Sequence, residues 1–137
     1  KIISSKPKIQ KNKKSDILKI NIEGFTVLIG KNNFQNDMIT FKLSQKDDIW
    51  FHVKGIPGSH ILLKGEGEAD EEIQRKCSSL AAYFSKARNS SSVPVDITYI
   101  KNVKKPPGAK PGYVTYKDQT TMYVTPNHVE IYEMLKK

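Results

Sequence analysis

The sequence predicts an α+β fold in a single domain, with an antiparallel or mixed twisted β-sheet packed against one long amphipathic helix. Two observations carry this expectation. Over 68–88, Ile73, Cys77, Leu80, Ala81 and Phe84 recur at mostly three- and four-residue spacing, the period of a helix that buries one side. On both flanks lie short runs rich in β-branched and aromatic residues, bounded by glycine and proline turns. A sheet and a helix each have apolar surface to bury, and packing one on the other buries both.

Residues 1–14 hold six lysines and no acid, which predicts a basic flexible arm or linker; 15–137 form the folded domain. Ile17 to Ile22 and Phe25 to Ile29, separated by Glu23-Gly24, read as a β-hairpin ended by Gly30. Lys31 to Asp37 is polar. The next run, Met38 to Leu43, suits a short helix capped by Asn36 better than a strand, because Met38 and Phe41 then share a side. Ile49 to Val53 and His60 to Lys64 are strands joined by the Gly55-Ile56-Pro57-Gly58 turn and expected to pair antiparallel. On the long helix, acids gather at the start and Lys86 and Arg88 at the end, as the helix dipole favours. Val93 to Ile100 is a later strand. Tyr113–Tyr116 with Thr120–Thr125 makes a second hairpin, and Val129–Leu135 a closing short helix.

The chain has 137 residues, 23 Lys plus Arg against 14 Asp plus Glu, and a formal charge of +9. That surplus favours a polyanion, although an acidic protein or an anionic surface would also answer to it. One cysteine, Cys77, excludes an internal disulfide and reads as a small buried hydrophobe. No apolar run approaches the roughly 20 residues that span a bilayer, and this sequence shows no signal-peptide hydrophobic region, so no membrane insertion is expected.

The candidate site residues fall in four groups. In the first, Lys31, Asn32, Asn33, Gln35, Asn36 and Asp37 follow Gly30, with Phe34 as a ring able to stack on a base. Asparagines also close turns on their own backbone, so local architecture is the competing reading. In the second, Trp50 and His52 share one strand face opposite Phe51 and Val53, and Ser59 and His60 follow the Pro57-Gly58 turn as possible anion ligands. A core role for Trp50 and a satisfied buried role for the histidines stand beside that reading. Lys86 and Arg88 form the third group. The fourth is Lys101, Lys104, Lys105 and Lys110, set among three prolines and two glycines in 101–112. Prolines restrict the loop, so ordering it on a phosphate backbone costs less entropy. No Walker loop, zinc-ligand spacing or coherent nucleophile–base pattern is present, and the expectation is a binding module with no catalytic residue, metal or cofactor.

These landmarks, in their order, resemble the RNA-binding domain of the NFACT family from about Phe25 to Asn127. The matching segments are Gly30-Lys31-Asn32-Asn33, Gln35-Asn36-Asp37, Asp48 to Val53, Pro57 to His60, Leu80 to Arg88, Val93 to Asp96 and Lys101 to Gly112. Gly55 departs from the acidic residue that family members often carry there. The resemblance implies a module of a ribosome-associated quality control factor in the cytoplasm. Such a module would contact tRNA and the obstructed large ribosomal subunit with its peptidyl-tRNA, in support of C-terminal alanine tailing of stalled chains. Other homologues resemble fibronectin- and fibrinogen-binding surface adhesins, which makes a matrix protein the alternative partner.

Overall fold

The computed structural model describes residues 16–65 and 69–136. The proposed basic arm, 1–14, and Glu68 lie outside the described residues. Strands β1 (Leu18–Ile22) and β2 (Phe25–Ile29) form the expected hairpin. Its two-residue turn places Glu23 at φ 50° and Gly24 at φ 93°, the paired left-handed geometry that matches strand twist. The Gly24 N–H donates to Asn21 Oδ1 at 2.9 Å, which closes the turn.

Helix α1 (Asn33–Asp37) comes earlier than the sequence suggested and continues into a wide π-type turn, Met38–Lys42. Asn32, not Asn36, is the N-cap: its side chain accepts from the Gln35 N–H at 2.9 Å, while Gln35 Oε1 accepts from the Lys31 N–H at 2.9 Å. This reciprocal arrangement is a variant of the capping box, and it puts the cap four residues before the expected one.

Strands β3 (Ile49–Val53), β4 (Ile61–Leu63), β5 (Val93–Tyr99) and β8 (Thr120–Val124) complete a six-stranded sheet of order β1-β2-β4-β3-β5-β8. Every pairing in it is antiparallel. Between β5 and β8 the chain leaves the sheet: a 3-10 turn, Ile100–Asn102, leads into β6 (Val103–Lys104), which pairs with β7 (Thr115–Tyr116). The expected hairpin between 113–116 and 120–125 therefore does not form. Strand β8 instead takes a five-pair register along β5, and β7 has only two pairs, with β6. Asp118, at φ 57°, turns the chain between them.

Helix α2 spans Glu71–Tyr83, shorter at both ends than 68–88. At its start Asp70 accepts from the Ile73 N–H at 2.9 Å and caps the helix. At its end the Phe84 carbonyl is taken by the Ser59 N–H at 3.1 Å, and Ser85 folds back onto Ala82 O at 2.7 Å. Lys86 and Arg88 consequently sit in the turn beyond the helix rather than in its last turn. Helix α3 (His128–Leu135) packs beside α2, where Arg75 bridges to Glu130 at 2.6 Å.

The strand alternation assigns the two faces. Val27, Ile29, Phe51, Val53, Ile61 and Leu63 point to α2 and α3 in the larger core, which also takes in Cys77. The intervening Leu28, Trp50 and Leu62 point the other way, onto Ile39, Ile100 and Val103. Burial pushes the Cys77 thiol pKa up, so it is an inert core residue. The smaller core exists because the π-type turn and the β6–β7 ribbon cover the second face. That cover is what positions the candidate site.

Candidate nucleic-acid interface

Asn36 is 4% exposed and joins two of the sequence landmarks. Its Oδ1 accepts from the His60 N–H at 3.0 Å, and its Nδ2 donates to Gly58 O at 3.3 Å. The Gly30 N–H donates to His60 O at 3.0 Å beside it. A Cβ on Gly30 would lie 2.2 Å from Asn36 Oδ1, so the close approach requires glycine. Gly58 in turn bridges to Ser85 after α2, and a Cβ there would lie 2.9 Å from the Ser85 side chain.

Three segments distant in sequence thus close around one cleft of about 350 Å³. Gly30 to Asn33 and Asn36 form one wall, Pro57 to Ser59 the second, and Tyr83 to Lys86 with Arg88 the third. Its charged lining residues are Lys31, Lys86 and Arg88, with no acid among the lining residues. The Arg88 guanidinium lies 4.0 Å above the Tyr83 ring, which orients a flat cation at the mouth. A cleft with this lining suits a phosphodiester: polar side chains line the walls, and three exposed cations stand at the rim.

The remaining candidates separate into exposed groups and structural ones. Trp50 is 0% exposed, and its Nε1–H donates to Thr40 Oγ1 at 3.2 Å. That hydroxyl lies 2.8 Å from His60 Nδ1. His60 is buried too, and its imidazole also meets backbone of Gly112 and Asn36. Burial and then the neighbouring His52 lower its pKa to about 3, so the ring is neutral at ordinary pH. His52 stacks on Trp50 at 5.6 Å, and burial pushes its pKa down against the pull of Asp96. Ser59 and Gln35 are buried as well. Trp50, His60, Ser59, Gln35 and Asn36 therefore build the site from behind; in this conformation they present almost no surface to a partner.

The four late-loop lysines do not form one patch. Lys105 pairs with Asp37 at 3.2 Å and donates to Lys110 O at 2.7 Å. Asp37 also accepts from the Gly112 N–H at 2.8 Å, so this aspartate holds the loop in place. Lys101 lies elsewhere, in a separate hollow shared with Lys46 and Tyr99. Lys104 and Lys110 are exposed. Sequence reasoning missed the polar cluster behind the ribbon: buried Asp96 accepts from Tyr116 Oη at 2.5 Å and Thr121 Oγ1 at 2.8 Å, and pairs with Lys54 at 3.2 Å. The signal was present, since Asp96 and Thr98 alternate with Val95 and Ile97 along one strand. Gly55, at φ 77° with open space around it, is a turn residue chosen by backbone conformation. Among the described residues no helix is long and apolar enough to cross a membrane.

The family model described as the NFACT protein RNA binding domain matches residues 17–118, which contain all three walls of the cleft. The chain belongs to the NFACT family. The similarity extends to proteins named Rqc2 homolog RqcH. In Bacillus subtilis (strain 168) the identity is 51% over 113 residues, covering 82% of this chain and 20% of the relative. In Streptococcus pneumoniae serotype 2 it is 43% over 130 residues, covering 94% and 23%. A solved structure, described as the C-terminal of the fibronectin/fibrinogen-binding protein from Streptococcus suis, superposes with a TM-score of 0.87 at 43% identity. It is matched over 93% of this chain and 52% of its own. The NFACT domain described here thus spans about a fifth of the length of the curated RqcH relatives, and its α+β fold is that of the solved neighbour.

Proposed function

We propose that this domain is an RNA-binding module of a cytoplasmic ribosome-associated quality control factor. It acts by contacting tRNA, the obstructed large ribosomal subunit with its peptidyl-tRNA, or both, in support of C-terminal alanine tailing of stalled chains. The observation that carries the reading is the acid-free cleft that gathers the separate landmarks and sets Lys31, Lys86 and Arg88 on its rim. The RNA-binding description of the family model and the RqcH relatives support it. The module works by binding alone, with no catalytic residue, metal or cofactor of its own.

The test replaces Lys31, Lys86 and Arg88 together with glutamine. All three are exposed, so the fold should stay intact by circular dichroism. Association with tRNA and with large subunits is expected to fall at least about tenfold at low salt. Each lost phosphate contact should lower the slope of log affinity against log salt by about 0.7 to 0.9. Unchanged affinity and slope for both RNAs would remove the cleft from the interface.

A second reading draws on the solved neighbour, whose own description is a fibronectin/fibrinogen-binding protein. Fibronectin added as competitor separates the two. Specific fibronectin binding by a chain that binds neither tRNA nor subunits would favour adhesion.

A further inference from the structure

We infer that Phe34 and Tyr113 form a stacking platform for unpaired RNA bases at the edge of the cationic cleft, an inference that rests on the RNA-binding reading above. Both rings are large and bare: Phe34 is 66% exposed and Tyr113 60%. A single exposed ring on a protein surface is ordinary. These two come from segments nearly eighty residues apart that meet at one backbone junction. Gly112 lies so close to Asn33 that a Cβ on it would stand 2.8 Å from Asn33 Oδ1. Phe34 follows Asn33 and Tyr113 follows Gly112, so each ring is one residue from the junction.

The junction is held from several sides. Gly112 adopts φ 86°, and its N–H donates to Asp37 Oδ1 at 2.8 Å. The Tyr113 N–H donates to Lys110 O at 3.1 Å, and Lys105 Nζ donates to the same carbonyl at 2.7 Å. The rings therefore project from anchored backbone, and a base landing on them would not have to order a loose loop.

Charge selects the occupant. Asn33 also lines the cleft, so the platform borders the site that carries Lys31, Lys86 and Arg88, while exposed Lys110 lies in the turn that accepts from the Tyr113 N–H. Exposed rings amid cations fit a strand whose phosphates run through the cleft while its bases turn outward onto the rings. A duplex keeps its bases stacked inside and has none to offer. The platform thus gives the domain a preference for single-stranded or looped RNA that charge alone would not.

The test uses this chain with Phe34→Ala/Tyr113→Ala and with Phe34→Trp/Tyr113→Phe, which keeps both rings. Labelled single-stranded RNA and a duplex of equal length are titrated at several salt concentrations. The double alanine variant should bind single strands at least about tenfold more weakly with an unaltered salt slope, and should bind the duplex as the parent does. The ring-preserving variant should bind both as the parent does. Parental affinity of the alanine variant for single strands would overturn the platform. So would equal losses on both RNAs. In each of these cases a loss in the Lys31/Lys86/Arg88 variant would leave the RNA-binding reading standing. If the parent binds no RNA, both inferences fail.

Discussion

Acidification from pH 7.5 to 5 is expected to destabilise the fold by about 2 kcal/mol through His60 alone. In the unfolded chain the imidazole takes up a proton near pH 6.5; in the fold it resists until about pH 3. Because the folded pKa is the depressed one, the full contribution is present above 6.5 and drains away as pH falls toward 3. Each pH unit in that window is worth about 1.4 kcal/mol, and about 1.5 units lie between 6.5 and 5. The cause is geometric. The ring has Trp50 edge-on at 5.0 Å, His52 at 5.3 Å, and Thr40 Oγ1 at 2.8 Å from Nδ1, while Lys105 adds a further repulsion. His52 is shifted in the same direction and adds to the slope, offset in part by Asp96. Urea unfolding followed by circular dichroism at several pH values measures the loss. The His60→Gln variant should be less stable at neutral pH but lose about 2 kcal/mol less over the same interval. A parent whose stability is flat from pH 7.5 to 5, or a His60→Gln variant with the same slope, would refute the reasoning.

Two further substitutions probe what holds the site. Thr40→Val strips Trp50 Nε1 and His60 Nδ1 of their shared hydroxyl, and should cost about 2–3 kcal/mol in denaturant midpoints; Thr40→Ser should recover most of it. Asp37→Ala removes the acceptor for Gly112 N–H and the partner of Lys105, both partly exposed, and should cost about 1–2 kcal/mol. Hydrogen exchange should accelerate in 105–116 in that variant while the six-stranded sheet stays protected.

The elements with a strong local signal were legible in the sequence. The Glu23-Gly24 hairpin, the β3–β4 pair and the apolar side of α2 follow from turn chemistry and periodicity, and the structure has them. The boundaries of α2 were not, because they are set by Asp70 as cap and by the tertiary contact between Ser59 and Phe84. Local pattern also suggested pairing 113–116 with 120–125, but a longer register along β5 wins. At the site, residue type alone could not separate Asn33, which faces solvent, from Asn36, which is buried three positions later. Nor could it show that Lys105 is neutralised by Asp37, sixty-eight residues away. Period-two alternation did place Trp50 opposite Phe51, but only the ribbon lying over that face makes Trp50 a core residue.

The amide of Asn36 reaches across 22 and 24 residues of chain to make its two bonds. The cleft is therefore absent from any short fragment: peptides copying 30–37, 57–60 or 83–88 would carry the same charges without the enclosure. It also means that damage to one wall is felt by the others. Substitutions at Gly30, Asn36 and Gly58 should be strongly non-additive in a mutant cycle, since the first to break the amide's bonds leaves little for the next to remove. Chemistry grafted onto this rim by exchanging lysines would keep its shape, whereas a graft that replaced the asparagine would lose the enclosure before any ligand arrived.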